Sequence, residues 1–184
     1  LNMPPHHPAR GMQDTIYLDT PALHTGPGGA PAPGALLLRT HTSPNQVRIM
    51  RELQPPLRVV VPGKVYRYEQ VDPSHNWMFH QCEGMAVDRG ITLADLKGTI
   101  AAVLGHVFGP RRPLRFRCDY FPYVEPGMDT AVQCVLCNGA GCRLCKGTGW
   151  LDAMPAGMIH PNVLRTPGID PQRYSGLPFA ARPH

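Results

Sequence analysis

The sequence predicts an α+β domain in which antiparallel strands carry a few flanking helices. Three observations lead there. Two β-rich runs, LRVVV at 57–61 and KVYRYE at 64–69, are followed across a polar loop by a third, MFHQCEGMAVD at 78–88, which reads as an antiparallel pair. One long segment, 92–108, has helical periodicity. The 184 residues include 22 prolines and 19 glycines, with 42% hydrophobic and 17% charged residues, the composition of a folded chain rich in loops.

Taken in order, TPALHTGPGGAPAPG at 20–34 is a loop, because its prolines and glycines break helices and central strands. Ser43 and Pro44 open a short helix, SPNQVRIMRELQ, with Ser43 as N-cap and Pro44 in the first turn, and Pro55-Pro56 closes it. Pro62-Gly63 is expected to join two separate strands. In TLADLKGTIAAVLGHVF, Leu93, Leu96, Ile100, Leu104 and Val107 share a helical face, and Thr92 with Asp95 forms a capping box. LRFRCDY at 114–120 reads as a strand, and GWLDAM as a strand returning after the cysteine cluster. The sequence offers no internal repeat and no linker, so residues 1–184 read as one partial catalytic core with an insertion at 133–150.

Net charge is +5 and the isoelectric point near 9.0, a mild basic excess that suits anionic partners such as ATP or RNA. No apolar run approaches the roughly 20 residues of a membrane span, and no secretory signal pattern opens the chain. It starts at Leu1, which leads us to expect the interior of a longer protein. Cys82 and Cys118 are dispersed and are expected to be small buried residues.

The other four cysteines, Cys134, Cys137, Cys142 and Cys145, form C-x2-C-x4-C-x2-C within QCVLCNGAGCRLCKGTGW. Clustered pairs without a signal sequence read as metal ligands in a reducing compartment. Four thiolates suit tetrahedral Zn²⁺ and leave no coordination position for water, so the site is structural rather than catalytic. An iron–sulfur cluster is the alternative that four thiolates leave open. The cluster lies between strands and is expected to be a hairpin tip clamped by an ion.

The remaining polar chemistry collects on β-segments. Arg67 and Glu69 share one strand face; Phe79, Gln81 and Glu83 share another. An arginine fork suits phosphate and carboxylates suit an ammonium group. The same residues could equally form a solvated face with cross-strand ion pairs.

Blocks along nearly the whole chain then narrow the reading. HPARGMQDTIYL, LLLRTHTSPNQVR, PGKVYRYEQ, MFHQCEG, LKGTI, RFRCDYFPYVEPG, GMIHPNVLR and GIDPQRYSG, in this order, resemble the α subunit of phenylalanyl-tRNA synthetases, which are class II aminoacyl-tRNA synthetases. The resemblance implies the class II antiparallel sheet, here with a small four-cysteine zinc knuckle and incomplete at both ends. It implies activation of phenylalanine by ATP with Mg²⁺, transfer to tRNA(Phe), a β subunit that edits, an α2β2 heterotetramer and a cytoplasmic location, with no membrane partner. By motif position, Arg67 would hold the ATP α-phosphate and the amino-acid carboxylate. Glu69 would face the adenine amino group, His75 the outer phosphates, and Phe79 would stack on adenine. His41, Ser43, Gln81 and Glu83 would anchor the amino acid's polar end. Phe121 and Tyr123 would grip its ring, with Gly157 and Met158 on the far side of the pocket.

Three departures bear on function. Many members connect these strands without the four cysteines, so the knuckle is expected to be a local staple, with contact to tRNA or to the β subunit as the alternative that an exposed insertion leaves open. Tyr123 stands where phenylalanine is usual. After SG, members continue into a Gly-rich strand and a helix with a further ATP-clamping arginine, whereas this chain reads SGLPFAARPH, so Arg182 receives no role and the sheet is expected to lack its last strand. The alternative function is an inactive remnant serving as an amino-acid or nucleotide-binding module.

Overall fold

The computed structural model describes residues 2, 15–19, 35–68 and 76–181. Among these residues nine elements follow in order: α1 (Pro44–Glu52), β1 (Leu57–Tyr66), β2 (Met78–Asp88), α2 (Leu93–Phe108), β3 (Leu114–Phe121), β4 (Val124–Gln133), β5 (Trp150–Ile159), α3 (Pro161–Arg165) and β6 (Ser175–Ala181). The strands form one antiparallel sheet in the order β1-β2-β6-β5-β4-β3.

Strand alternation gives the sheet two apolar faces. On one, Leu96, Ile100 and Leu104 of α2 pack on Met128, Met154, Ala156 and Leu177. On the other, Met50 of α1 and Val163 and Leu164 of α3 pack on Leu57, Met85, Val87 and Ile159. The predicted long helix is observed, and its capping box is complete: Thr92 Oγ1 accepts from Asp95 N at 3.3 Å, and Thr92 N donates to Asp95 Oδ2 at 2.8 Å. Truncating any of its three buried anchors to alanine is worth about 2–5 kcal/mol.

Several expectations are corrected. Pro62-Gly63 makes no turn: β1 runs straight through it, with Pro62 opposite Cys82 and Gly63 opposite Gln81. The proline is tolerated because β1 is an edge strand. A Cβ at Gly63 would meet the Arg39 guanidinium at 2.0 Å, so the glycine serves a close approach. Ser43 occupies the N-cap position of α1 but has helical dihedrals and makes no capping hydrogen bond; it is buried beside β2 instead. Cys118 is exposed, because it lies on the outward stretch of the other edge strand, β3.

The largest correction concerns SGLPFAA. It forms β6, at the centre of the sheet, with Gly84 opposite Phe179 in the pairing with β2 and Ala156 opposite Phe179 in the pairing with β5. The sheet therefore has no gap where a last strand was expected to be missing. A Cβ at Gly84 would lie 2.2 Å from the Phe179 ring, so glycine at this position is what lets β2 and β6 pair.

Candidate active site and cysteine cluster

The α1/α3 face of the sheet carries most of the predicted site. Gln81 and Glu83 point into it from β2 and are 4% and 2% exposed. Buried polar groups need partners, and both find them in the segment leading into α1. Thr42 N donates to Gln81 Oε1 at 3.1 Å, Thr42 Oγ1 donates to Glu83 Oε2 at 2.8 Å, and Gln46 Nε2 donates to Glu83 Oε1. Thr42 and Gln46 were not singled out from sequence. The available signal was polar residues at the start of an amphipathic helix, where solvent exposure is the usual explanation.

This clasp fixes the neighbouring His41, whose ring stacks on Tyr123 at 6.0 Å and 16°; Tyr123 in turn lies 6.0 Å from Phe121. Tyr123 is held from behind by its carbonyl, which accepts from His160 N at 3.0 Å. His41 Nδ1 is buried without a hydrogen-bond partner. A buried orphan of this kind costs about 1–3 kcal/mol until something pairs with it. Burial, and then the Arg67 cation, depress the His41 pKa from 6.5 to about 4, so the imidazole is neutral at physiological pH.

Arg67 continues the β1–β2 ladder one step beyond β1, its N–H donating to Trp77 O at 2.9 Å. Its Nε donates to Thr40 O at 3.4 Å, and its guanidinium lies 5.3 Å from the centre of the Phe79 ring. The predicted phosphate-binding cation and the predicted adenine platform are therefore in contact. Glu69 and His75 lie outside the described residues.

On β5, Gly157 is buried against Val124: a Cβ there would come within 2.6 Å of Val124 Cβ and 2.7 Å of Pro126 O. A register shift between Val124 and Gly127 produces this approach, the kind of bulge that re-aims side chains beside sites. Met158 is not brought to the pocket. It packs in the α2 cluster, because adjacent residues of a strand face opposite ways. The site therefore gathers His41, Arg67, Phe79, Gln81, Glu83, Phe121, Tyr123 and Gly157, with Ser43 buried behind Glu83.

Two titratable groups of this face push stability in opposite directions. His41 binds its proton less readily folded than unfolded, so its share of stability is present above pH 6.5 and is lost as pH falls toward about 4. Burial raises the Glu83 pKa above 4.5 against hydrogen bonds from Thr42, Gln46 and Ser43. The folded carboxyl thus binds its proton more readily, and its share is lost as pH rises through the raised value. In urea unfolding between about pH 4.5 and 6.5, Glu83→Gln is expected to gain stability with pH more steeply than the parent, and His41→Asn less steeply. Parallel curves for all three proteins would contradict this assignment.

At the far end of the β4–β5 hairpin, Gln133 pairs with Trp150 and Cys134 N donates to Gly149 O at 2.9 Å, closing a compact loop. The four Sγ atoms all lie within 4.8 Å of one another, with Cys134–Cys142 at 3.7 Å, Cys137–Cys145 at 3.8 Å and Cys142–Cys145 at 3.7 Å. A tetrahedral zinc tetrathiolate with Zn–S near 2.3 Å has an edge of about 3.8 Å. The set fits one ion, and not a multi-iron cluster whose thiolates sit on separate metals. Backbone N–H groups of Gly141, Cys142 and Gly149 point at the sulfurs from 3.1 to 3.2 Å. For Cys145 burial works against ionisation, but hydrogen bonds from the N–H groups of Cys142 and Gly149 and from the thiols of Cys142 and Cys137 together bring the pKa to about 6.

A repeat unnoticed in the sequence becomes visible here. Cys134–Gly141 and Cys142–Gly149 are two eight-residue units of the pattern C-x-L-C-x-G-x-G. Asn138 and Lys146 adopt left-handed φ of 48° and 50°, and the glycines that follow in each unit also have positive φ. Each unit contributes one CxxC turn, and the two turns face each other across the ion position.

The sequence matches the family model described as tRNA synthetases class II core domain (F) over residues 1–180. The chain belongs to the class II tRNA synthetase core family. Relatives agree: the phenylalanine–tRNA ligase alpha subunit of Ectopseudomonas mendocina is 52% identical over 179 residues, which cover 97% of this chain and 48% of that protein. The same subunit of Chlorobium phaeobacteroides is 49% identical, covering 97% and 50%. The chain spans about half the length of the curated relatives it matches. The resemblance carried by the sequence blocks is thereby borne out, and so is the class II sheet with its four-cysteine cluster. No helix among the described residues is long and apolar enough to cross a membrane.

Proposed function

We propose that this chain is the substrate-activating core of a phenylalanine–tRNA ligase α subunit. One observation carries the reading: the His41–Tyr123–Phe121 aromatic stack, with its unpaired buried nitrogen, lies on the same face as Arg67 and Phe79. An aromatic slot beside an arginine–aromatic corner suits an aromatic amino acid next to a nucleotide.

In this reading the phenylalanine carboxylate oxygen attacks the ATP α-phosphorus and the bond to pyrophosphate breaks. Arg67 holds the charge that grows on the phosphoryl oxygens, and Phe79 stacks on adenine. Phe121 and Tyr123 hold the substrate ring, and Gly157 lets β5 approach β4 closely enough for Val124 to pack beside them. Gln81 and Glu83, steadied by Thr42 and Gln46, present a polar wall to the ammonium group. Motif position alone supports Glu69 at the adenine amino group and His75 at the outer phosphates. A ribose hydroxyl at the 3′ end of tRNA(Phe) then attacks the acyl carbon and AMP leaves, in an α2β2 assembly with a β subunit in the cytoplasm.

Mg²⁺ supplies charge neutralisation when it arrives on the ATP phosphates, the mode in which it needs few protein ligands. Among the described residues no group of three carboxylate or histidine ligands gathers on this face, and no step is assigned to a resident ion. The four cysteines would hold Zn²⁺ as a structural crosslink, and we read 133–150 as an insertion in one catalytic core. Relatives named as ligase subunits favour this function over a binding remnant.

Phenylalanine-dependent exchange of pyrophosphate into ATP by this chain, alone and with the β subunit, tests the reading. Exchange above background supports it. No exchange in either case, together with no binding of a phenylalanyl-adenylate analogue, contradicts it. Tyr123 adds a specific expectation, because its hydroxyl alters the slot that a phenylalanine would line. Relative exchange rates for para-substituted phenylalanines should differ between the parent and Tyr123→Phe, by about tenfold or less for an apolar slot. Equal ratios would contradict a ring-contacting Tyr123.

A further inference from the structure

The end of the sheet remote from the active site carries cationic surface that the proposed chemistry does not use. Neither of the two segments that meet there, 96–118 and 130–151, contains an aspartate or glutamate. A groove of about 400 Å³ lies between the α2–β3 connection and the knuckle, lined by Phe108, Arg111, Arg112, Gln133 and Asn138 among others. Arg112 is structural: its Nε donates to Phe108 O at 3.2 Å, and its Nη1 reaches Gln133 O, Cys134 O and Asn138 Oδ1 at 3.3–3.4 Å. Arg111, Arg143 and Lys146 are exposed. Together these four cations exceed the net double negative charge of a zinc tetrathiolate. The knuckle also exposes Leu136 at 71% and Leu144 at 48%, apolar side chains that no core explains.

We propose that the knuckle and this groove form a binding surface for the phosphodiester backbone of RNA. Charge complementarity selects this occupant. A cationic strip free of carboxylates matches a polyanion, and exposed arginines can fork onto phosphate oxygens. Arg112 holds the knuckle against the body of the domain, so the cations on the loop and those beside the groove keep a fixed spacing. The leucines flank the strip and contact sugar edges. That the RNA is a tRNA rests on the ligase reading given above; the surface itself does not.

The test is fluorescence anisotropy of the full chain with a labelled tRNA transcript and a single-stranded RNA, over a salt series. The probe variant is Arg111→Ala/Arg143→Ala/Lys146→Ala. Expected are a loss of tenfold or more in RNA affinity and a log–log salt slope shallower by about 2–3, near one unit per lost phosphate contact. Zinc content and phenylalanine-dependent pyrophosphate exchange should stay unchanged, because exchange requires no RNA. Arg111→Lys/Arg143→Lys should retain most of the affinity. Unchanged affinity and slope in the triple alanine variant, or no RNA binding by the parent, would overturn the proposal. Loss of binding to a protein subunit with RNA affinity intact would also overturn it, in favour of a protein interface. A failure of exchange in the parent with the RNA result intact would overturn the ligase reading and leave this surface standing.

Discussion

Replacing Arg67 by alanine is expected to lower phenylalanine-dependent ATP–pyrophosphate exchange by about 10²–10³-fold, the loss that follows removal of one preorganised donor to a developing oxyanion. Arg67 is half-buried and rests over Phe79, so lysine should rescue only weakly: a point charge offers no planar fork and stacks poorly. Folding should be little affected, because the backbone N–H of residue 67 still reaches Trp77 O. A second readout separates a charge effect from a shape effect. The Arg67 cation is one cause of the low His41 pKa of about 4. In Arg67→Ala the His41 ring should titrate at higher pH, as followed by its NMR ring-proton shifts. An unmoved His41 titration would mean that the two groups do not share one site.

The second large effect concerns the metal. The chain should carry one zinc, measured by inductively coupled plasma mass spectrometry, and Cys145→Ser should abolish it. Structural zinc typically contributes about 10–16 kcal/mol of binding free energy coupled to local folding. Without the ion, residues 134–149 retain few buried apolar contacts, and the loop should become the first site of limited proteolysis. The active site should be nearly indifferent. β4 spans 10 residues from Val124 to Gln133, so the cluster and the aromatic slot stand about 30 Å apart. Exchange activity of Cys145→Ser within about threefold of the parent at low temperature is expected, with a lowered Tm. Loss of exchange matching the loss of metal, in protein that remains folded, would make the cluster part of the chemistry.

Features governed by local chemistry were legible from sequence. The Thr92–Asp95 capping box, the β1–β2 pairing, the hairpin position of the cysteines and the shared face of Phe79, Gln81 and Glu83 all depend on residues close in sequence or on strand period. Features decided by tertiary neighbours were not. Pro62-Gly63 reads as a turn until its place on an edge strand and the Arg39 side chain over Gly63 are known. SGLPFAA has little β-propensity of its own, and becomes a central strand because β2 and β5 supply partners on both sides. Met158 sits in a block that resembles a pocket wall, yet the register of β5 turns it to the α2 face. Thr42 and Gln46 look like helix-start residues until the buried Glu83 between them shows what they satisfy.

The central claim is that one face of this sheet binds phenylalanine and AMP as a unit, and calorimetric titration with a non-hydrolysable phenylalanyl-adenylate analogue tests it most directly. The account predicts one site per chain, with affinity reduced at least about 10²-fold by Arg67→Ala and unchanged in Cys145→Ser. Failure of the parent to bind, or equal binding by parent and Arg67→Ala, would contradict it.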